Sequence, residues 1–350
     1  MPQAAFCAVP MRLRRSSPER PGWTRRRSGK GFVYLDEQRV RLAEAEQVQR
    51  IRDLVIPPAW QDVWICPWPN GHLQAVGTDA AGRRQYLYHP QWRESRDADK
   101  HVKVLDFARR LPTARLRVAE HLEMPGMPRE RALAIAFRLL DVGLFRIGGE
   151  AYAEENNSFG LATLRREHVR VRRGGVVEFS YPAKSGVHRV FSISDEPIAD
   201  AVSTLKRRRG GGEELLAWHR DRSWVDLGST DISHYVKAVV ARDASAKDFR
   251  TWHATVLAAI AFAGLEGPTS ATAAKRAVSR VMREVSEQLG NTPAVCRASY
   301  VDPRVVAGFQ QGTTVRAAVA RAARRCAPEQ LSADESVERA VLRLLRGVRG

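Results

Sequence analysis

The chain has 350 residues, of which 44% are hydrophobic and 27% charged, so it is long enough for two ordinary domains and has a globular composition. Lysine and arginine number 57 against 39 aspartate and glutamate residues, a net charge of +18, which favours a polyanionic partner, nucleic acid first and an anionic membrane second. Four cysteines without a CxxC pair or a histidine cluster exclude a zinc site and a disulfide framework, and the longest apolar run, 254–265, is too short to span a bilayer.

The first predicted segment is a basic arm over residues 1–30. It contains eight lysine and arginine residues against one acid, Glu19, and few apolar residues. Such a composition predicts disorder. The arm has no apolar stretch of the kind found in a signal peptide, and unpaired cysteines are typical of a reducing compartment, so we expect a cytoplasmic protein.

Residues 31–110 are predicted to form a small β-rich domain. Short β-prone runs at 62–66 and 85–88 flank two turns, at 69–71 and 79–82, and residues 72–78 alternate between apolar and polar. This pattern indicates an antiparallel sheet accompanied by a few helices.

Residues 111–350 are predicted to form a mostly helical domain. Apolar residues at helical spacing run over 128–142 and again over 275–289, and a glycine ends each run. Thr292-Pro293 is typical of an N-cap followed by proline at the first helical position.

A short β segment interrupts these predicted helices. Three β-prone runs, at 168–172, 176–181 and 187–193, are joined by turns at 174–175 and 182–186. The predicted fold class is therefore α+β, with a β-rich N-terminal domain and a mostly α-helical catalytic domain that contains a short three-stranded antiparallel sheet.

Common catalytic motifs are absent from the sequence. It has no GxxxxGK[ST] motif, the sign of an ATP-driven motor, and no HExxH motif. Asp97 and Asp99 form an acidic pair, but Arg96, Lys100 and His101 flank it, which favours a solvated surface over a magnesium site. We therefore expect no metal site.

Four local contexts carry residues suited to phosphate chemistry. Arg146 follows a predicted helix and precedes two glycines, Lys184 lies at the tip of a predicted hairpin, Arg250 opens a predicted helix, and Tyr300 follows Thr292-Pro293. An arginine fork beside glycines can approach a phosphate closely. Taken singly, each residue is more commonly a surface cation or a packed tyrosine.

Together, these segments resemble the type IB DNA topoisomerases, in the small branch shared by poxviruses and bacteria. The resemblance covers about residues 20–335 and rests on segments in the family's order and approximate spacing: Arg146-Ile147-Gly148-Gly149-Glu150, Lys184-Ser185-Gly186, Lys247-Asp248-Phe249-Arg250-Thr251, and Thr292-Pro293 with Tyr300. The tract 82–88 resembles the family's N-terminal DNA-contacting strand. It implies DNA contacts by Arg83, Arg84, Gln85, Tyr86 and Tyr88.

The resemblance also implies a role for each candidate catalytic residue. Tyr300 matches the nucleophile, Arg146 and Arg250 match the two arginines that hold the scissile phosphate, and Lys184 matches the lysine that protonates the leaving oxygen. The family has a histidine nine residues before the nucleophile, where this chain has Asn291. An amide NH₂ can still donate to a phosphate oxygen, so we expect activity to persist, at a cost of about two or three orders of magnitude at most.

The implied activity is relaxation of supercoiled double-stranded DNA through a 3′-phosphotyrosyl intermediate. A phenol, with a pKa of about 10, needs nearby cations to attack phosphorus, arginine forks stabilise the charge that develops, and the departing 5′-oxygen needs an acid. The phosphotyrosine keeps the energy of the broken bond, so no ATP, metal or other cofactor is required. We expect a nucleoid-associated monomer that clamps the duplex and has no membrane partner.

Three alternatives remain open at this point. A tyrosine recombinase shares the covalent chemistry, although recombinases usually have His-x-x-Arg where this chain has Lys247-Asp248-Phe249-Arg250. A DNA-binding relative with impaired catalysis would be compatible with Asn291. A basic protein from a GC-rich genome would show the same excess of charge without binding nucleic acid.

Overall fold

The computed structural model describes residues 12–150, 153 and 157–348, and it confirms the α+β class. The chain divides into two compact units, residues 1–100 and 101–350. Among the described residues, no helix combines the length and apolar character needed to cross a membrane.

The first unit is built on a five-stranded antiparallel sheet in the order β2-β1-β3-β4-β5. Its strands are β1 Trp23–Ser28, β2 Gly31–Leu35, β3 Gln61–Ile65, β4 Leu73–Thr78 and β5 Arg84–Tyr88. Helix α1, Ala45–Asp53, buries Ile51 in an apolar cluster with Trp23, Val63, Ile65 and Ala75. Side chains alternate along a strand, so one face of β5 is partly buried and the other is exposed.

The prediction of a disordered arm over residues 1–30 is wrong from residue 12 onward, and residues 1–11 lie outside the described residues. Trp23 is buried, and the Arg25 guanidinium donates to the carbonyls of Pro57 (2.6 Å) and Trp60 (2.8 Å). It also lies 4.2 Å from the centre of the Phe32 ring. A count of charges misses this arrangement, because backbone carbonyls satisfy the cation without any acidic residue.

The second unit is mainly helical. Its helices are α2 Pro90–Leu122, which begins in the first unit, α3 Arg129–Gly143, α4 Glu196–Arg207, α5 Ser229–Val239, α6 Ala246–Ala263, α7 Ala271–Leu289, α8 Pro293–Ser299, α9 Pro303–Gln310, α10 Arg316–Ala322 and α11 Glu335–Gly347. The predicted three-stranded sheet is present, as β6 Val169–Arg172, β7 Val176–Pro182 and β8 His188–Ser194 in that order. A two-stranded ribbon, β9 Ala217–Arg220 and β10 Ser223–Asp226, was not predicted.

The units divide between Lys100 and His101, ten residues before the boundary predicted at residue 110. Helix α2 already has a buried apolar face at Val104, Leu105 and Phe107. The mostly polar residues at the start of the helix hide this periodicity in the sequence.

Helices α3 and α6 lie in the core of the second unit, and most of their residues are buried. The residues that follow helices α3 and α7, Leu144 and Gly290, are their C-caps. Both adopt the left-handed conformation, with φ of 53° and 62°. A helix end leaves backbone carbonyls without partners inside the helix. The carbonyl ends of these two helices, residues 143–144 and 288–290, organise the candidate site.

Candidate active site

Two arginines predicted to hold a phosphate lie at the carbonyl ends of α3 and α7. Arg146 Nη2 donates to the Gly290 carbonyl at 2.8 Å. Arg250 Nη2 donates to the Leu289 carbonyl at 2.8 Å, and its Nη1 donates to the Leu144 carbonyl. Cations are favourable at helix C-termini, where the peptide dipoles place partial negative charge. The helix ends thus hold two like charges close together.

Among the residues that the structure describes, these guanidinium groups hydrogen-bond neutral oxygen atoms and no carboxylate. Arg250 is almost fully buried, and burial followed by the charge of Arg146 lowers its pKa to about 10. An anion between the two arginines would offset both effects, since it supplies the negative charge that the carbonyls only partly provide. The pair is therefore suited to bind a phosphate.

Tyr300 lies beside these cations at the end of α8. The centre of its ring is 5.3 Å from Cζ of Arg250. Burial alone would raise the pKa of the Tyr300 hydroxyl, but the charge and hydrogen bond of Arg250, with further contributions from Lys247 and Arg146, outweigh it and lower the pKa below its ordinary value. The phenol is thus placed where losing its proton is made easier.

Asn291 joins the same cluster through its side-chain oxygen, which accepts from Arg146 Nη2. The other amide atom, Nδ2, is buried, and within the described residues it has no hydrogen-bond partner. The same holds for Nε of Arg250. Buried donors are nearly always satisfied, so two such donors beside two arginines fit the oxygens of a phosphate.

The backbone around Arg146 is fixed by a close approach of two glycines. The carbonyl oxygens of Arg146 and Ile147 accept from the amides of Leu161 and Ala162, both at 2.8 Å. A Cβ on Gly160 would lie 2.4 Å from Cα of Gly148, which itself has a φ of +79°. Only glycine fits at this contact, which explains the glycines at positions 148 and 160.

Lys184 lies apart from this cluster, on the three-residue turn between β7 and β8. The turn is closed by hydrogen bonds from Ala183 N to the Val187 carbonyl (2.8 Å) and from Gly186 N to the Ala183 carbonyl (3.1 Å). The side chain of Lys184 is exposed. The structure thus brings Arg146, Arg250, Asn291 and Tyr300 together and leaves Lys184 at the end of the hairpin.

Sequence reasoning missed a third arginine at the helix ends, Arg189. Its Nη1 donates to the Leu144 carbonyl at 3.2 Å, and its Nη2 donates to the Gln288 carbonyl at 2.9 Å. A signal was available, because Arg189 alternates with Phe191 and Ile193 on the face of β8 that packs inward. A cation on the apolar face of a strand suggests a buried polar partner.

The five predicted DNA-contacting residues differ in their contacts. Arg84, Tyr86 and Tyr88 lie on the exposed face of β5, and the two tyrosine rings stack with centres 6.3 Å apart. The side chains of Arg83 and Gln85 instead bind the carboxylate of Asp79, at 2.9 Å each. Alternation along β5 places Gln85 on the opposite face from Arg84 and Tyr86. Arg83 precedes the strand, and its side chain stays 60% exposed while it pairs with Asp79.

Comparisons with known proteins agree with this geometry. A family model described as "Eukaryotic DNA topoisomerase I, catalytic core" matches residues 89–322, and one described as "Bacterial DNA topoisomerase IB, N-terminal domain" matches residues 31–79. DNA topoisomerase 1B of Acanthamoeba polyphaga mimivirus is 26% identical over 80% of this chain and 85% of its own length. DNA topoisomerase I of Monkeypox virus is 22% identical over 65% of this chain and 69% of its own length. The catalytic-core match contains all the candidate residues between Arg146 and Tyr300.

Proposed function

Since the chain belongs to the family of type IB DNA topoisomerases, we propose that it relaxes supercoiled double-stranded DNA by cutting and rejoining one strand at a time, without ATP or metal. The observation that carries the proposal is the position of Tyr300, whose ring centre lies 5.3 Å from Cζ of Arg250. The charges of Arg250, Lys247 and Arg146 lower the pKa of its hydroxyl against the effect of burial. A tyrosine in that setting can replace a metal-activated water as the nucleophile.

In the proposed reaction, the Tyr300 oxygen attacks the phosphorus and forms a 3′-phosphotyrosyl bond, while the bond to the 5′-oxygen breaks. Arg146 and Arg250 bind the non-bridging oxygens, on which charge develops. The amide Nδ2 of Asn291, which has no partner among the described residues, donates a further hydrogen bond. The reverse attack by the 5′-hydroxyl restores the strand and releases Tyr300, so the cycle consumes no external energy.

Lys184 is proposed to protonate the departing 5′-oxygen. An alkoxide is a poor leaving group, and an acid positioned beside it contributes typically about 10²–10⁴-fold to the rate. The exposed turn that carries Lys184 has a glycine with a φ of +73°, Gly186, at its end. The turn would bring the lysine to the phosphate when DNA is bound.

Lys184→Ala should therefore slow cleavage of ordinary DNA by about 10²–10⁴-fold and have little effect on a substrate with sulfur at the 5′-bridging position. A thiolate leaves readily, so it needs no acid. Single-turnover cleavage of the two duplexes measures the ratio of the cleavage rate on the sulfur substrate to that on ordinary DNA. Lys237→Ala, which changes an exposed lysine on α5, is the matched control and should leave the ratio unchanged. Equal defects of Lys184→Ala on both substrates would reassign Lys184 to phosphate binding.

The exposed face of β5 is proposed to contact the duplex, so that both units act on the same DNA as a clamp. Arg84 supplies a cation there, and Tyr86 and Tyr88 supply aromatic surface. Phosphate contacts release counterions, so they appear as salt dependence of binding. We further propose that the protein acts as a monomer in the nucleoid and needs no small-molecule cofactor.

Adjacent arginines make a matched test of this surface. Arg84→Ala should weaken duplex binding and reduce the slope of log affinity against log salt by about 1, because one phosphate contact is lost. Arg83→Ala should leave the slope nearly unchanged, since Asp79 already pairs with Arg83. A titration in which both variants change the slope equally would contradict the assignment of the exposed face.

Relaxation of a supercoiled plasmid in EDTA and without ATP tests the whole proposal. The protein should convert the plasmid to relaxed topoisomers through nicked intermediates. A recombinase would exchange strands between two sites, and a relative with impaired catalysis would bind the plasmid but leave it supercoiled. Failure to relax the plasmid under these conditions would refute the proposed activity.

A further inference from the structure

Besides Lys184 on its turn, the β7–β8 hairpin contains Arg189, which contacts the helix ends of the candidate site. Tyr181 and Arg189 are cross-strand partners in this hairpin, and the Arg189 side chain hydrogen-bonds the Tyr181 hydroxyl. Arg189 is five positions after Lys184 and one pair before the end of the hairpin's paired region, at Pro182 and His188. Contacts that fix the position of Arg189 therefore also fix the strand ends on which the turn is built.

The Arg189 guanidinium reaches both helix ends. Nη2 donates to the carbonyls of Gln288 on α7 (2.9 Å) and Gly143 on α3 (3.3 Å), and Nη1 donates to that of Leu144 (3.2 Å). Its Cζ lies 4.4 Å from the centre of the Phe191 ring. Three of its five N–H donors are thus used on backbone carbonyls, and a planar fork held in this way is rigid.

The Leu144 carbonyl is shared. It accepts from Arg189 of the hairpin and from Arg250, which is proposed to hold the phosphate. Leu144 adopts a left-handed φ of 53°, which is unfavourable for a leucine, and the two hydrogen bonds help to stabilise it. Through this atom, the position of the hairpin is tied to the position of the phosphate-binding arginine.

We propose that Arg189 is a positioning residue, which ties the hairpin of Lys184 to the helix ends that hold Arg146 and Arg250. The inference rests on the proposed function, because it acts through the protonation of the 5′-oxygen. Three donors of Arg189 are engaged by backbone carbonyls, and its side chain also bonds Tyr181, so we assign it to the placement of Lys184 rather than to contact with the DNA. Loss of Arg189 should then reduce the acid step and spare phosphate binding.

The experiment is single-turnover cleavage of ordinary DNA and of DNA with sulfur at the 5′-bridging position. Arg189→Gln should cleave ordinary DNA about 10- to 100-fold more slowly, because misplacing the acid loses only part of its rate contribution. It should cleave the sulfur substrate within about threefold of the wild-type rate, because that substrate needs no acid. The rate on the sulfur substrate also shows that the variant is folded. Arg189→Lys, which keeps the charge but loses the planar fork, should show the same pattern to a smaller degree.

Two comparison variants separate the possible roles. Arg146→Ala should be slow on both substrates, because it removes a phosphate ligand and not the acid. In the Lys184→Ala background, Arg189→Gln should add little further loss on ordinary DNA, since the group that it positions is gone. If Arg189→Gln behaves like Arg146→Ala, or leaves cleavage of ordinary DNA unchanged, the positioning role is wrong. A wild-type protein that cleaves neither substrate would refute the proposed function instead.

Discussion

Replacing Tyr300 with phenylalanine is expected to abolish DNA cleavage while leaving the fold and DNA binding intact. The change removes one hydroxyl oxygen and keeps the ring beneath Arg250, at 5.3 Å from its Cζ. Without that oxygen no phosphotyrosyl bond can form, and cleavage should fall to background, a loss of at least about 10⁴-fold on the scale seen when a nucleophile is removed. Binding should survive, because Arg146 and Arg250 are unchanged.

The measurement is covalent trapping on a suicide duplex, followed by denaturing electrophoresis. The wild-type protein should leave a 3′-phosphotyrosyl adduct that maps to Tyr300 and a free 5′-hydroxyl. Tyr235→Phe is the control: the hydroxyl of Tyr235 bonds His121 at 2.7 Å, and burial raises its pKa, the opposite of the shift at Tyr300. It should trap as much DNA as the wild type. An adduct formed by Tyr300→Phe, or one linked through a 5′-phosphate, would contradict the assignment.

Most residues of the candidate site could be found in the sequence because they lie in local motifs. Thr292 accepts from the amide of Val295 and Pro293 opens α8, as their order predicts, and this turn places Asn291 and Tyr300. The apolar periodicity likewise predicts α3 and α7 nearly to their ends. Those ends are what bring the predicted residues together.

Other features depend on contacts between distant parts of the chain, which local patterns do not contain. Arg25 is satisfied by carbonyls more than thirty residues away, so a segment that appears disordered by composition becomes a strand. Arg189 reaches a carbonyl that lies 99 residues away, at Gln288. In each case a long, polar side chain finds a partner that periodicity cannot identify.

The largest loss of stability is expected from Arg115→Leu. Arg115 on α2 pairs with Asp141 of α3 through Nε (2.7 Å) and with Glu338 of α11 through Nη1 (2.5 Å). Asp141 is fully buried, and Glu338 is nearly so. Removing the arginine would leave two carboxylates in a low dielectric. Their remaining partners would be His253, Trp252 and Arg138, whose Nη1 lies 3.6 Å from Oδ2 of Asp141. The free energy of unfolding should fall by about 3–5 kcal/mol.

Thermal or denaturant unfolding at neutral pH measures this loss, with Arg110→Leu as the control on the same helix. Arg110 pairs with Asp106 at 2.8 Å, but both side chains are about half exposed, so its loss should cost only about 0–1 kcal/mol. Equal destabilisation by the two substitutions would show that the buried network adds nothing beyond an ordinary surface pair.

The difference in free energy of unfolding between the wild type and Arg115→Leu should also depend on pH. Burial alone would raise the pKa of Asp141, but Arg115 and His253 outweigh it and hold the pKa well below its usual range. A depressed folded pKa contributes stability above the unfolded pKa of about 3.9 and loses it as the pH falls further. In the variant, Asp141 has lost the nearest arginine and takes up a proton more readily, so acid reduces the cost of its burial. This difference in stability between the two proteins should therefore become smaller below about pH 4. A difference that stays constant down to pH 3 would mean that the ionised Asp141 does not cause it.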